Sequence, residues 1–204
     1  MMLDSNSYLE YNVRAYFEQY TDFDNKSVLD FGCNRSNFIR YMPHNNYTGI
    51  DIIKEVIDKN KIEFPNYTFK HYNGYNYMYN KNGTQELSLN KRYNVCVAFS
   101  VFTHMTIEET IPIIKKLKQH CDTLYLTYYS NKDKHAYDAI CKFRDIEPNM
   151  WDSISTLDKS YIKTDDWIWS FYNDEYLQKQ LGGNSYNTTK SKRNLLGMQR
   201  CLVI

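Results

Sequence analysis

Short apolar runs alternate with segments of helical period along the first two-thirds of the chain. Residues 27–31, with Val28 and Leu29 between turn residues, predict a buried strand. Residues 36–42 place Phe38, Ile39 and Met42 on one side and stop at Pro43, which predicts a short helix packed on that strand. The pair repeats: "YTGIDI" (47–52) predicts a second strand, and Ile53, Val56 and Ile57 give a helix that Pro65 closes. "YTFKHY" (67–72) predicts a third strand. Strands alternating with helices at this spacing imply crossover units, hence a parallel sheet with helices on its faces.

The pattern fails between Gly74 and Arg92, a polar and aromatic stretch that reads as a loop with room for one short helix. It returns with "YNVCVAFSV" (93–101), a fourth strand. Thr106 and Glu109 have capping-box spacing at the start of a helix over 107–120, in which Pro112 should force a bend or local adjustment. "TLYLTYY" (123–129) is a fifth strand. Residues 130–166 carry the weakest period, with a helix around 135–143. Asn173 or Asp174 can cap a helix over 174–181 that Gly182 and Gly183 end. Residues 184–190 and 197–204 read as two strands joined by a basic turn, Lys190 to Arg193. At the other end, Tyr8, Leu9, Tyr16 and Phe17 suggest an amphipathic helix over 8–20.

A chain of 204 residues suits one domain, 1–204, with 1–26 as a helical lid and 130–166 as an insertion on the side of the second substrate. Twenty-five Lys and Arg balance 24 Asp and Glu, so no global field draws the protein to a polyanion or an acidic membrane. Five widely spaced cysteines without a CxxC pair argue against a disulfide framework or a zinc site, and no metal is expected. With neither a signal-peptide pattern nor a membrane-length apolar run, a cytoplasmic location is expected.

The turn after the first strand, "DFGCNRSNF", holds the decisive chemistry. A dinucleotide fold needs G-x-G-x-x-G there, with an acid about 20 positions further on for the ribose. Here the three positions are Gly32, Asn34 and Asn37, and Asp51 follows Asp30 by 21 residues. Asn34 can enter the left-handed region a tight turn requires, but its side chain obstructs close approach of a pyrophosphate. A carboxylate at Asp30 repels pyrophosphate and attracts a cationic ammonium or sulfonium group.

These residues resemble the first motif of class I S-adenosylmethionine-dependent methyltransferases. "YTGIDI" is similar to their ribose-binding strand, "YNVCVAFSVFTHM" to the fourth-strand motif of a branch that methylates sugars and other small molecules, and "WSFYNDEYLQKQL" with "QRCLVI" to the carboxy-terminal helix and closing strands. The resemblance implies an α/β fold: a Rossmann-like, seven-stranded, mostly parallel sheet with helices on both faces and an antiparallel C-terminal strand. It also implies S-adenosyl-L-methionine as cofactor. Asp30, Gly32 and Cys33 would hold its methionine end, Asp51 its ribose hydroxyls, and Ile52 and Asn73 its adenine, with Phe99 and Ser100 passing close by. Asn34 and Ser36 depart from the glycines of that motif, the usual helix after the third strand is not evident, and "KQHCDT" replaces a common proline-glycine turn.

His104, just beyond the fourth strand, stands where ligands bind in open α/β sheets and could act as general base toward a hydroxyl acceptor. The competing role is to bond backbone and fix the entry to the next helix. His135, Tyr128 and Tyr129 face the same side, with packing the simpler role for each. Trp151, Trp167 and Trp169 could wall a flat acceptor or pack the core, and Tyr8, Tyr11 and Arg14 could close over the cofactor or only pack on the surface. The expected acceptor is a hydroxyl of a small molecule or sugar. RNA methylation, with tRNA as the example, finds no basic stripe to support it, and a binding module without turnover is the third reading.

Overall fold

The computed structural model describes residues 17–18, 20–35, 39, 42–157, 159–164, 168–186 and 199–204. The predicted amino-terminal helix and the 36–42 helix fall largely outside these residues, as do Tyr8, Tyr11, Arg14, Ser36, Asn37, Trp167 and the basic turn.

Nine strands are described: β1 (Val28–Phe31), β2 (Tyr47–Asp51), β3 (Thr68–His71), β4 (Tyr93–Ala98), β5 (Cys121–Ser130), β6 (Lys159–Lys163), β7 (Ile168–Tyr172), β8 (Asn184–Tyr186) and β9 (Arg200–Val203). Five helices accompany them: α1 (Lys54–Glu63), α2 (Ile107–Gln119), α3 (Lys134–Arg144), α4 (Trp151–Thr156) and α5 (Asp174–Leu181). The central sheet runs β3-β2-β1-β4-β5, all parallel, and continues through antiparallel β9 to β8. This is the expected seven-stranded, mostly parallel α/β architecture.

Period-two alternation divides each central strand between two cores. Leu29, Phe31, Cys96 and Ala98 face α2 and α5, burying Ile114, Leu117, Leu177 and Leu181. Val28, Val95 and Val97 face the opposite side, where Ile57 of α1, Phe17 and Ile39 pack. Both faces are covered, which is why these strands read as unbroken apolar runs.

Local signals set the helix ends. Thr106 accepts from the Glu109 backbone N–H while the Glu109 carboxylate accepts from the Thr106 N–H, completing the capping box of α2, which runs on through Pro112. Asn173 caps α5 by accepting from the Tyr176 N–H.

β5 extends beyond the sheet edge, and its last residues, Tyr129 and Ser130, pair in parallel with β7. β6 and β7 form an antiparallel ribbon that the sequence reading did not anticipate. Phe171, Ile162 and Trp169 bury this ribbon against Tyr137, Ile140 and Ile154 of α3 and α4. The stretch 74–92 forms no helix. Asn76 and Asn80 instead exchange backbone hydrogen bonds, and the Asn73 carbonyl accepts from the N–H groups of Thr84 and Gln85.

Candidate active site

A cavity of about 510 Å³ opens at the carboxyl ends of β1, β2 and β4, where open α/β sheets bind ligands. Its volume lies within the roughly 300–1,000 Å³ usual for small-molecule sites. Asp30, Gly32, Cys33, Asp51, Ile52, Phe99, Ser100 and His104 all line it. Asn73 does not. Its side-chain oxygen accepts from Asn80 Nδ2 at 2.8 Å and its carbonyl accepts from the Thr84 and Gln85 N–H groups, which ties it to the 74–85 loop. Tyr72, Tyr75, Asn76 and Tyr79 line the cavity from this region instead.

The first turn explains its unusual sequence. Gly32 has φ +76°, and a Cβ there would meet Val101 Cγ2 at 2.3 Å, so only glycine fits. Asn34 follows at φ +43°, the left-handed conformation expected of it. The backbone donors of the turn are consumed internally. Gly32 and Cys33 both donate to the Ile50 carbonyl, at 2.8 and 3.0 Å, and Asn34 donates to Asp51 Oδ2 at 2.8 Å. A phosphate cradle needs such N–H groups aimed at the ligand. Three successive donors of this turn point elsewhere, and two carboxylates share the same cavity.

Those carboxylates differ. Asp51 accepts from the Asn34 and Ile53 N–H groups, one on each oxygen, at 2.8 Å each. This fixes its plane and leaves each oxygen a further lone pair for a hydroxyl. Burial raises its pKa, opposed by these backbone bonds. Asp30 is buried with one protein donor, the Tyr47 hydroxyl at 2.7 Å, and burial pushes its pKa up to about 7, against the Tyr47 bond, with the Asp51 charge adding to the rise. Asp30 is therefore poised to ionise when a cation arrives.

Also in the lining, His104 has its Nδ1 3.2 Å from the Ile168 carbonyl oxygen. A carbonyl only accepts, so Nδ1 carries the proton and the neutral ring has its lone pair on Nε2. Burial lowers its pKa, with the nearby Arg144 cation acting the same way, which keeps the ring neutral at pH 7. Trp169 packs edge-on at 4.7 Å and Tyr79 at 6.1 Å between ring centroids. The loop is tied to the same point, since Asn76 Nδ2 donates to the His104 carbonyl at 3.3 Å.

The other candidates are placed elsewhere. Tyr128 is buried and donates to Asp174, His135 is exposed on α3, and Trp151 packs on Tyr137. Tyr129 is buried behind Trp169. Among the described residues, no group of three His, Cys, Asp or Glu is arranged to hold a metal, and no helix is long and apolar enough to cross a membrane.

A protein-family model described as a methyltransferase domain matches residues 6–187. The chain belongs to the class I S-adenosylmethionine-dependent methyltransferases. Its methyl donor is S-adenosylmethionine. The fold is similar to that of magnesium protoporphyrin IX methyltransferase from Synechocystis PCC 6803 with bound S-adenosylhomocysteine, at 16% identity and TM-score 0.60, covering 97% of this chain and 82% of that one. It is also similar to an S-adenosylmethionine-dependent methyltransferase from Clostridium acetobutylicum, at 11% identity and TM-score 0.56, covering 99% and 92%. The glycopeptide N-methyltransferase MtfA matches at 9% identity and TM-score 0.58, covering 95% and 88%. No curated protein matches the sequence. In the cavity of this methyltransferase, the internally bonded turn directs its Gly32, Cys33 and Asn34 N–H groups away from the phosphate cradle of a dinucleotide fold, and Asp30 and Asp51 bring two carboxyl groups to the lining.

Proposed function

We propose that this methyltransferase transfers the methyl group to a hydroxyl of a small molecule or sugar, with His104 as general base. The observation that supports the reading is the Nδ1–H···O contact from His104 to Ile168, which leaves the Nε2 lone pair free of that carbonyl in a residue lining the same cavity as Asp30 and Asp51.

Bound S-adenosylmethionine supplies a methyl group on a cationic sulfur, reactive toward a nucleophile in line with it. Asp51 would accept from the ribose hydroxyls, held in register by the Asn34 and Ile53 N–H groups. Asp30, with Gly32 and Cys33, would bind the methionine end, and the carboxylate form of Asp30 would neutralise its ammonium. Ile52 would flank the adenine, and Phe99 and Ser100 would close the floor.

His104 would take the acceptor's proton on Nε2 while the Ile168 carbonyl stabilises the resulting imidazolium through Nδ1–H. Tyr75, Tyr79, Met105 and Ile113 line the cavity beside it. Rings and apolar side chains of this kind stack on a sugar face or a planar ring and exclude water, leaving alignment to supply most of the rate. The 130–166 insertion would shape this acceptor side and residues 1–26 would cover it.

The test is transfer of labelled methyl from S-adenosylmethionine to a panel of hydroxylated small molecules and sugars, with product mapping. An O-methyl product whose formation His104→Gln abolishes supports the reading. Transfer only to nitrogen or carbon, or a rate that His104→Gln leaves unchanged, would contradict it.

A further inference from the structure

A second unusual backbone conformation borders the cavity. Ser100, just past β4, has φ +57°, a left-handed conformation that for a non-glycine residue persists only when its surroundings enforce it. Its neighbours Phe99 and Val101 both line the cavity, and Val101 is the residue packed over Gly32. The conformation of Ser100 thus sets one wall of the cavity against the other.

A closed ring of hydrogen bonds supplies the enforcement. The Ser100 N–H donates to Thr127 Oγ1 at 2.8 Å, the Thr127 hydroxyl donates to Gln199 Oε1, and Gln199 Nε2 returns to Ser100 Oγ at 2.9 Å. Thr103 Oγ1 donates to the Ser100 carbonyl at 3.0 Å, so the remaining Ser100 hydroxyl proton points to Thr103 Oγ1 at 3.3 Å. Each group in the ring therefore has a fixed donor or acceptor role. Thr127 and Gln199 are fully buried, so water cannot substitute for either. Gln199 Nε2 also donates to the Tyr129 hydroxyl, at 3.3 Å, and Tyr129 in turn packs on Trp169 behind His104.

From this geometry we infer that Gln199, at the entry to the antiparallel strand β9, is a positioning residue for the cofactor cavity: it clamps Ser100 in the left-handed conformation that seats Phe99 and Val101. The inference rests on the reading that this cavity holds the S-adenosyl donor. It assigns a functional role to a residue 99 positions from the one it holds.

Glycine supplies the discriminating test, because it adopts φ +57° without a clamp. Binding of S-adenosylhomocysteine is measured by calorimetry for the wild type, Gln199→Met, Ser100→Gly and the double variant, with thermal melting of each apo protein alongside. Gln199→Met should weaken binding about tenfold in the wild-type background, as release of a strained residue implies, and less than about threefold in the Ser100→Gly background. Equal losses in both backgrounds, or no loss in either, would overturn the inference while leaving the cavity's assignment intact. Absence of binding by the wild-type protein would overturn both. Should Gln199→Met fail to fold, Thr127→Val opens the same ring from β5. It should show the same loss and the same relief by glycine, and a loss that glycine does not relieve counts against the clamp.

Discussion

The two ends of the cavity are built differently. Most of the cofactor end comes from one strand–turn–strand unit, in which Asp30, Gly32, Asn34 and Asp51 lie within 22 residues and the turn is fixed through backbone bonds to Ile50 and Asp51. The side that carries His104, the proposed acceptor end, comes from segments far apart in sequence. His104 is oriented by Ile168, Tyr172 donates to the carbonyls of Phe102 and Met105, and Tyr77 donates to Thr164. A short-range unit constrains its own residues tightly, whereas a site assembled across 60 or more positions can change its lining without touching the cofactor turn. The comparison predicts that donor binding and acceptor choice are separable in this chain.

Mutations should expose that separation, and the largest effect belongs to the acceptor end. His104→Gln should lower turnover by about 10² to 10⁴, the range for a lost general base, while calorimetry shows S-adenosylhomocysteine binding within error of wild type. A parallel loss of binding would show that the two ends are one unit. Next comes Gly32→Ala, whose Cβ must displace Val101 at an already positive φ. Binding should fall about a hundredfold or more, with a lower melting temperature from strain of about 1–3 kcal/mol.

A smaller effect, with a sign, is expected at Asp30. Its pKa of about 7 exceeds the ordinary 3.8, so the folded protein holds this proton more tightly than the unfolded chain. The stability it contributes is full below about pH 4 and is lost as pH rises through about 7. Donor binding runs the other way, because the ammonium group of the ligand prefers the ionised carboxylate. S-Adenosylhomocysteine affinity should therefore rise between pH 6 and 8, and Asp30→Asn should flatten that slope while raising the melting temperature of the apo protein at pH 8. A slope retained in Asp30→Asn would assign the titration to another group. Tyr47→Phe, which removes a bond favouring the ionised form, should shift the midpoint upward by a few tenths of a pH unit to about one.

Legibility in the sequence followed the same division. The turn residues could be read because local chemistry determines them: Asn34 adopts the left-handed conformation its side chain allows, and Asp51 sits at a strand end at the spacing a ribose acid requires. The capping box of α2 was legible for the same reason. The β6–β7 ribbon escaped notice because Ile168 to Tyr172 are all buried and show no alternation, so the run "IWSFY" resembled the lead-in to α5. Its turn-bounded, aromatic composition was the available signal. The 74–92 loop was placed by Asn76 and Asn80, whose side chains cross-brace it and leave no periodicity. The position of Asn73 after the third strand is legible in the sequence, but its side-chain bond from Asn80 is set by the fold of the loop. Gln199 had no local signature, since its partners lie on β4 and β5 and only the folded chain brings them together.

The most direct test of the central claim, that the cofactor end is a site for a nucleoside that carries an ammonium group and no phosphate, is calorimetric titration with S-adenosylhomocysteine and, separately, NAD. The account predicts that the wild type binds S-adenosylhomocysteine and not NAD, and that Asp51→Ala weakens the former at least about tenfold through loss of its charged hydrogen bonds. Binding of NAD, or S-adenosylhomocysteine affinity unmoved by Asp51→Ala, would contradict it.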